Sequence, residues 1–383
     1  MWKTVKLGDL IEIQNGYAFD SKKFSPQGKM PLIRIRDLKG GSDTQTRYTG
    51  DYDTKFIVKM GDFLIGMDGE FRCYEWKGPI ALLNQRVCRL QNFKEKLYGR
   101  YLFYVINDEL IKIEKNTGFT TVKHISSKKI NEIRLSLPPL EQQKQIVKKL
   151  DATFAEIDIA IDIIENKIRS LQIVFDSIVK KYFVENYFNA KIEKLSKVSE
   201  YFNGLTYSPK DKDIEGTIVL RSSNIQNGKI DYSDIVRVSK TIKEKLFVRE
   251  NDILICSRNG SKRLIGKSSL IGPSDERMTF GTFMMIIRSE INYYLQWFFK
   301  SSLFKDQIQQ GESTAINQIT RYMLDEITLP IPAEEKLIKV ADKLEQLDKN
   351  IQTANSILRK KIDNYIALKS SILSQELVGK RAA

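Results

Sequence analysis

The feature that most constrains this chain is an internal repeat of about half its length. Residues 130–138, Ile-Asn-Glu-Ile-Arg-Leu-Ser-Leu-Pro, match residues 324–332, Leu-Asp-Glu-Ile-Thr-Leu-Pro-Ile-Pro, at an offset of 194 positions. Upstream, Asn15-Gly16 aligns with Asn203-Gly204 and Asp62 aligns with Asp252, at offsets of 188 and 190. An offset that drifts by a few residues indicates insertions in surface loops. The repeat predicts two copies of one structural unit.

Each copy begins with a region that contains several short apolar runs, over residues 1–137 and 190–331. Runs of this kind, bounded by Gly and Asn, are typical of strands. They occupy residues 31–35, 63–66, 80–83, 217–220, 252–256 and 284–288. One helical stretch is predicted in each region, near residues 98–115 and 291–309. Both regions are therefore predicted to be α+β domains with irregular β-sheets.

A long helix follows each region, over residues 138–189 and 332–383. Prolines precede both helices, and acidic residues occupy their first turns, as is usual at helix N-termini. Asn186, Asn189 and Gly379 are predicted stops. Apolar residues recur in steps of three and four, which is a heptad pattern. We define the predicted seam as Ile146, Leu150, Ile157, Ile161, Ile164, Ile168 and Leu171 in the first helix, and Leu344, Leu347, Ile351, Leu358, Ile362 and Tyr365 in the second.

Heptads over more than six turns favour pairing between two long helices. The alternative is that each helix packs only on its own domain. If the two helices pair antiparallel, the two strand-rich regions lie at opposite ends of a coiled-coil rod, related by a pseudo-twofold axis. At about 1.5 Å per residue, some 45 residues span roughly 65–70 Å.

The charge balance limits the class of partner. The chain of 383 residues has 62 Lys and Arg against 48 Asp and Glu, a formal net charge of +14. Such an excess favours a polyanion, usually nucleic acid. The three cysteines, Cys73, Cys88 and Cys256, are widely spaced and predict neither a zinc site nor a disulfide framework. No signal-peptide core or membrane-length apolar run is present, so we expect a cytoplasmic location and no membrane partner.

Three segments of the sequence suggest catalytic alternatives. Residues 260–268 imitate a phosphate-binding loop, but five residues rather than four separate the glycines and no helix is predicted to follow. Asp62 or Asp68 with Glu75-Trp76-Lys77 has the composition of a metal-dependent endonuclease site, which the second copy lacks. The only Pro-Pro pair, Pro138-Pro139, stands at a helix start and does not form a methyltransferase motif. We therefore expect no enzyme activity, no bound cofactor and no metal site.

Several segments resemble one known family. Residues 135–147, Leu-Ser-Leu-Pro-Pro-Leu-Glu-Gln-Gln-Lys-Gln-Ile-Val, resemble the junction between target recognition domain and long helix in specificity subunits of type I restriction–modification systems. The opening Trp2-Lys3 to Leu10, the strand Gly61-Asp62-Phe63-Leu64-Ile65 and residues 374–380 are similar to that family as well. The second junction departs from the pattern, because Leu140 and Gln142 have no counterparts there.

The resemblance implies a division of labour. Each domain is expected to read one half of a gapped, asymmetric target in double-stranded DNA. The paired helices are expected to act as a spacer and to dock two modification (methyltransferase) subunits, which use S-adenosylmethionine. Restriction subunits, which act as ATP- and Mg²⁺-dependent translocases and nucleases, would complete the complex. The rival interpretation is a coiled-coil scaffold or a nucleic-acid-binding adaptor without sequence specificity.

Candidate contacts are the residue types that read base edges, mainly Arg and Lys for guanine and Asn and Gln for adenine. In the first domain they are Arg34, Arg36, Arg47, Tyr48, Arg72, Asn84, Gln85, Arg86, Thr120, Thr121, Lys123 and His124. In the second they are Arg221, Ser222, Asn224, Arg258, Asn259, Ser261, Lys262, Arg263, Thr282, Ser313, Thr314, Asn317 and Gln318. A solvated surface role is the alternative for each residue, and many Lys are expected to reach phosphate only.

Overall fold

The computed structural model describes residues 2–117, 123–310 and 318–378. The chain forms two compact units. Unit 1 contains the chain up to Asp162 and the segment that begins at Ile362, and unit 2 contains Ile163–Lys361. The division falls within both long helices. The four segments predicted from the sequence, 1–137, 138–189, 190–331 and 332–383, therefore stay a prediction.

Unit 1 is built around two four-stranded sheets and a small two-stranded one. Its strands are β1 Lys3–Lys6, β2 Glu12–Asn15, β3 Met30–Ile33, β4 Arg47–Tyr48, β5 Ile57–Val58, β6 Phe63–Gly66, β7 Cys73–Glu75, β8 Ala81–Leu83, β9 Val87–Gln91 and β10 Arg134–Leu137. Its helices are α1 Gly99–Asn116, α2 Ser127–Asn131 and the first part of α3 Leu140–Asn189. The strand orders are β1-β10, β2-β9-β6-β7 and β4-β3-β8-β5.

Unit 2 repeats this plan. Its strands are β11 Lys191–Lys194, β12 Glu200–Asn203, β13 Lys212–Leu220, β14 Ile225–Gln226, β15 Lys229–Ile230, β16 Val236–Val238, β17 Ile253–Cys256, β18 Ser268–Leu270, β19 Met278–Phe280, β20 Met284–Arg288 and β21 Thr328–Ile331. Its helices are α4 Leu195–Val198, α5 Asn292–Lys300, α6 Ser302–Gln310, α7 Arg321–Glu326 and most of α8 Glu334–Val378. The strand orders are β11-β21, β12-β20-β17-β18, β16-β13-β19 and β14-β15.

The two units share hydrogen bonds at positions that the repeat aligns. The Leu7 amide donates to the Ile133 carbonyl at 2.8 Å, and the Leu195 amide donates to the Ile327 carbonyl at 2.9 Å. The strand pairs β3–β8 and β13–β19 are both parallel. This agreement confirms an α+β fold that is present twice in the chain.

In both units a backbone carbonyl lies so close to the glycine of the Asn-Gly pair that there is no room for a Cβ atom. A Cβ atom on Gly16 would lie 2.0 Å from the carbonyl oxygen of Asn84. A Cβ atom on Gly204 would lie 2.0 Å from the carbonyl oxygen of Gly281. Any other residue would clash with backbone at these two points.

The long helices contribute to the core of each unit. In unit 1, Ile146 and Leu150 of α3 share a buried cluster with Leu377 of α8. Ion pairs join Lys149 to Glu376 and Asp158 to Lys369, so the two helices run antiparallel there. In unit 2, Phe175 and Val179 of α3 share a core with Leu337, Val340 and Leu344 of α8.

Every residue of the predicted seam is buried or half-buried. Ile146, Leu150, Ile157, Ile164, Leu344 and Ile351 are at most 8% exposed. Leu368, which continues the same heptad pattern, is instead 45% exposed. Helix α3 ends at Asn189, one of the predicted stops, whereas Gly379 lies outside the described residues.

Candidate nucleic-acid interface

Three separate segments of unit 1 lie side by side at the end of β6. The Met67 amide donates to the Arg86 carbonyl at 2.9 Å, and the Ile125 amide donates to the Met67 carbonyl at 2.9 Å. The Gly69 amide donates to the Lys123 carbonyl at 3.0 Å. We call the exposed side of these segments the unit 1 platform and define it by Asp68, Arg86 and His124.

In the unit 1 platform, the Asp68 carboxylate contacts both of the other side chains. The Asp68 carboxylate lies 2.6 Å from His124 Nδ1 and 3.5 Å from Arg86 Nε. The Arg86 and His124 side chains are 57% and 45% exposed. Arg86 has a φ of 70°, a left-handed conformation that residues with a Cβ atom rarely adopt. The turn therefore imposes a specific direction on its side chain.

The same arrangement occurs at the end of β17 in unit 2. The Ser257 amide donates to the Phe283 carbonyl at 3.0 Å, and the Ile319 amide donates to the Ser257 carbonyl at 2.6 Å. Arg258 Nε donates to Gln318 Oε1 at 3.0 Å. We define the unit 2 platform by Arg258, Phe283 and Gln318. Phe283 is 52% exposed although it is a large apolar side chain.

A second pair of equivalent turns follows β3 and β13. The Arg34 amide donates to Asp37 Oδ2 and the Arg221 amide donates to Asn224 Oδ1, each at 2.9 Å. The Arg221 guanidinium also pairs with the Asp234 carboxylate at 2.8 Å. Both arginines are half-buried. They begin turns at equivalent points of the two units, as the repeat predicted.

Other candidate side chains serve the fold itself. Tyr48, Asn84 and Asn224 are 6%, 7% and 1% exposed. The Asn224 amide group donates to the carbonyls of Asp231 and Asp234, and the Tyr48 ring packs on Phe19. We leave these three out of the proposed interface, because their side chains do not reach the surface.

Two arginines of unit 1 are engaged within the fold. Arg47 donates to the Lys29 carbonyl at 3.2 Å. Arg72 forms an ion pair with Glu114 at 2.6 Å and is 29% exposed. Arg36, in contrast, is 62% exposed and donates to Thr46 Oγ1 at 3.2 Å. Of these arginines, Arg36 is the most accessible to a partner.

The remaining candidates of unit 2 lie around one loop. Asn259 Nδ2 donates to Ser222 Oγ at 3.2 Å, and Asn259 Oδ1 accepts the Ser261 amide at 2.9 Å. Lys262 and Arg263 are exposed on the next turn. Thr282, next to Phe283 of the platform, is exposed and lies 3.4 Å from Thr206, hydroxyl to hydroxyl.

Five candidates lie outside the described residues, and two others make hydrogen bonds to backbone carbonyls. Thr120, Thr121, Ser313, Thr314 and Asn317 lie outside the described residues. Lys123 is half-buried and its Nζ donates to the Glu114 carbonyl at 3.0 Å. Gln85 is exposed, and its amide donates to the Tyr17 carbonyl at 2.8 Å.

The carboxylates of the nuclease alternative do not converge on one point. Asp62 pairs with Arg89 at 3.2 Å, whereas Glu75 pairs with Arg100 at 2.5 Å. Within the described part of the chain, no cluster of three or more His, Cys, Asp or Glu suits a metal ion. Burial raises the pKa of the Cys88 thiol to about 12, so this thiol is not a ready nucleophile.

The phosphate-loop alternative also meets the wrong structure. Residues 262–264 form a short turn of 3-10 helix, and strand β18 follows at Ser268. A phosphate loop of this kind uses the N-terminus of a following helix. This segment therefore lacks the backbone geometry of a phosphate-binding loop.

Sequence reasoning missed two members of the platforms. The sequence suggests Asp68 only as a nuclease ligand, and Phe283 directly precedes the apolar run 284–288 that predicts a strand. The offset of 190 aligns Asp68 with Arg258, which was a candidate, so the repeat already contained the signal. The pairing of Asp68 with His124 joins residues 56 positions apart and cannot be inferred from local pattern.

The two long helices also present apolar side chains to solvent. Ile159, Ile163 and Ile173 on α3 are 60%, 61% and 64% exposed, and Ile357 on α8 is 63% exposed. Clusters of exposed apolar side chains are typical of surfaces that bind another protein. None of the helices in the described ranges has the length and hydrophobicity needed to cross a membrane.

Comparison with known proteins gives a consistent result. Residues 1–169 and 189–363 match the family described as type I restriction modification DNA specificity domain. The chain is 28% identical to the type I restriction enzyme EcoBI specificity subunit of Escherichia coli, with 100% of this chain and 86% of that protein covered. It is 23% identical to the MjaVIII specificity subunit of Methanocaldococcus jannaschii, with 99% and 92% covered.

Shorter and structural similarities agree. Over 168 residues the chain is 36% identical to the EcoKI specificity subunit of Escherichia coli K12, which covers 41% of this chain and 35% of that protein. A chain from a structural study of complex assembly in the type I R-M system has a TM-score of 0.68 at 16% identity, with 98% of this chain and 97% of that chain covered. The structural likeness supports the fold.

Proposed function

Since this chain belongs to the type I restriction–modification specificity subunits, which are non-catalytic DNA recognition subunits, we propose that it reads a bipartite target in double-stranded DNA. Unit 1 reads one half of the target and unit 2 reads the other. The two halves differ in sequence, so the target is asymmetric.

The observation that supports this proposal is one fold that occurs twice with different exposed side chains. The strand order of the sheets β2-β9-β6-β7 and β12-β20-β17-β18 agrees between the units, and so do the turn hydrogen bonds. The unit 1 platform contains an acid, a base and the histidine, whereas the unit 2 platform contains an arginine, a glutamine and a phenylalanine. Base edges are distinguished by the donors, acceptors and apolar groups that face them. Two equal scaffolds with unequal platforms suit two unequal half-sites.

The charge of the chain fits duplex DNA as the partner. Its net charge of +14 supplies a general attraction for phosphates. Arg36, Lys262 and Arg263 are exposed and can contribute to phosphate contacts. Phosphate contacts set position, and side chains at base edges supply specificity.

The long helices serve as the spacer between half-sites. Helix α3 has 50 residues and α8 has 45. At about 1.5 Å per residue, a helix of this size has the length of roughly twenty base pairs. We expect the insertion of one heptad into each helix to lengthen the gap between half-sites, because the recognition surfaces would move apart.

The same helices dock two modification subunits, which supply the methyltransferase chemistry and bind S-adenosylmethionine. Exposed isoleucines on the part of α3 that belongs to unit 2, Ile163 and Ile173, offer apolar surface for this contact. Restriction subunits, with ATP and Mg²⁺, join the same complex. We expect the assembly to act in the cytoplasm.

The test is selection of duplexes from a randomised DNA library by the chain together with its cognate modification subunit. The proposal predicts enrichment of one gapped motif with two unlike halves. The rival function, a coiled-coil scaffold or a non-specific nucleic-acid adaptor, predicts binding without enrichment of any sequence. A folded complex that selects no motif would refute sequence-specific recognition.

A further inference from the structure

The two platforms occupy equivalent positions in the two units. Each consists of the second residue after an inner strand of a sheet, the residue directly before the neighbouring strand, and a residue from a third segment. The bridges that join the first and third members, Asp68 to His124 and Arg258 to Gln318, are both antiparallel. The hydrogen bonds that the Met67 amide donates to the Arg86 carbonyl and the Ser257 amide donates to the Phe283 carbonyl fix the second member in each unit.

The backbone is alike, but the side chains at the three positions differ in their chemistry. The first position holds the acid Asp68 in unit 1 and the base Arg258 in unit 2. The second holds Arg86, which can donate hydrogen bonds, and Phe283, which cannot. The third holds His124 and Gln318. No fold requirement explains an exposed phenylalanine at the second position of unit 2.

An aspartate is unexpected on a surface that binds DNA, because phosphates repel its carboxylate. Asp68 lies between Arg86 and His124 and within reach of both. Its carboxylate lies 3.5 Å from Arg86 Nε, and an ion pair at Nε can orient the planar guanidinium while its terminal nitrogens contact a base. Two terminal nitrogens of one arginine match the O6 and N7 acceptors of guanine.

Unit 2 presents a different set of groups. Arg258 donates to Gln318 Oε1 through both Nε and Nη2, so the Gln318 amide nitrogen is left as a donor. The ring of Phe283 stands exposed beside this pair. An apolar ring in the major groove contacts the methyl group of thymine.

We propose that the three platform positions determine base specificity in both units, with Asp68 as a positioning residue that directs Arg86 to a guanine and Phe283 as a contact to a thymine methyl group. This inference rests on the proposed function, since it requires that each unit reads a half-site. It adds Asp68 and Phe283 to the specificity determinants.

The experiment uses the chain in complex with its modification subunit and the selected duplex. Binding is measured for a panel of duplexes, each with one base pair of the target replaced. Asp68→Asn is expected to reduce discrimination at one guanine-containing position of the unit 1 half-site by about tenfold, with no change in the unit 2 half. Phe283→Ala is expected to reduce discrimination by a similar factor at one thymine-containing position of the other half.

Two controls separate specificity from folding. Lys112→Gln alters an exposed helix residue that pairs with Glu109, and it should leave every ratio in the panel unchanged. If Asp68→Asn lowers the thermal unfolding temperature of the complex, Arg86→Lys gives a second test of the same position. This variant retains the charge but loses the planar fork, so it should relax the same base pair as Asp68→Asn.

Each outcome has a distinct meaning. Relaxation at a single position in the correct half supports the inference. Equal weakening for all duplexes, or unchanged ratios, overturns it, while the proposed function stands because the wild-type complex still selects two half-sites. Failure of the wild-type complex to select any motif refutes the proposed function itself.

Discussion

The two units share the strand order of the sheets β2-β9-β6-β7 and β12-β20-β17-β18, but they attach the domain to the long helices by different contacts. In unit 1 an ionic contact is added to the apolar one: Arg100 of α1 pairs with Glu75 and with Asp151 of α3, and Tyr104 donates to the same Asp151. In unit 2 the contact is aromatic: Phe183 of α3 packs on Tyr294 and Phe298 of α5. The shared backbone therefore does not depend on one set of contacts.

Equivalent tyrosines show that α1 and α5 nevertheless dock alike on strands β10 and β21. The Tyr101 hydroxyl donates to the Ser136 carbonyl at 3.2 Å, and the Tyr294 hydroxyl donates to the Pro330 carbonyl at 2.9 Å. A few fixed hydrogen bonds set the geometry, and the surrounding side chains are free to change. Such freedom is what a protein needs if its two halves recognise different sequences.

The largest expected difference between the units concerns one aspartate that both contain. Asp62 and Asp252 each accept a backbone amide three residues before them, and each pairs with an arginine. The Asp252 side chain is 2% exposed and that of Asp62 is 29% exposed. Asp252→Ala leaves Arg288 unpaired in the interior and should destabilise unit 2 by about 3–5 kcal/mol.

The matching change in unit 1 should cost less. The Asp62 carboxylate is partly hydrated, and without it Arg89 keeps hydrogen bonds to Gln14, Gln91 and the Lys55 carbonyl, so we expect roughly 1–2 kcal/mol. Hydrogen exchange with denaturant, followed by mass spectrometry, measures each unit separately. Equal losses in the two units would contradict the difference in burial as the cause.

The second difference lies at the start of the long helices. Gln143 is fully buried, accepts the Tyr98 amide at 2.8 Å and donates to the carbonyls of Lys96 and Pro138. The aligned residue in unit 2 is Leu337, which is buried in an apolar core. Gln143→Leu leaves three backbone groups without partners, so it should destabilise unit 1 by about 2–4 kcal/mol.

The reciprocal change sharpens the comparison. Leu337→Gln places an amide in an apolar core and should destabilise unit 2 by about 1–3 kcal/mol. Both changes in the free energy of unfolding are measured by hydrogen exchange at increasing denaturant concentration, which reports on each unit separately. A stable Gln143→Leu variant would show that the two junctions are interchangeable.

The smallest expected effect is a difference in response to acid. Burial by itself would raise the pKa of Asp151, but hydrogen bonds from Arg100 and Tyr104 outweigh it and lower the pKa. This carboxylate thus stabilises unit 1 above its ordinary pKa, and the stabilisation is lost as the pH falls through the lower folded value. Burial raises the pKa of Asp348 in unit 2 despite the charge of Lys300. Acidification from neutral pH therefore favours the folded state of unit 2 at this residue.

Hydrogen exchange of each unit between pH 6 and pH 3, in wild type and in two variants, tests this contrast. Asp151→Asn should reduce the acid sensitivity of unit 1, because the titrating group is gone. Asp348→Asn should increase the net acid sensitivity of unit 2, because a group that gains stability on protonation is removed. Changes of the same sign in both units would contradict the assigned directions.

The sequence predicted the repeated architecture well because it depends on local patterns. Strands at 63–66 and 284–288 were predicted with the observed bounds, and the helix near 98–115 is α1. The stretch 291–309 was predicted as one helix but forms two, since the chain breaks at Ser301, whose hydroxyl donates to the Phe298 carbonyl. No apolar periodicity signals a break of that kind.

The interface was predicted less completely, because it depends on contacts between distant segments. Tyr48 and Asn224 have residue types that suit DNA, but the fold buries them. Asp68 has a type that phosphates repel, but the fold places it between Arg86 and His124. Which of two similar side chains reaches the surface is decided by pairing across tens of residues.

The most direct test of two independent recognition units is an exchange of residues 1–137 for the corresponding domain of another specificity subunit. The target of the chimera, in complex with the modification subunit, is then determined by selection from randomised duplexes. The account predicts that one half-site changes while the other half-site stays the same. A change in both half-sites would contradict separate recognition by the two units.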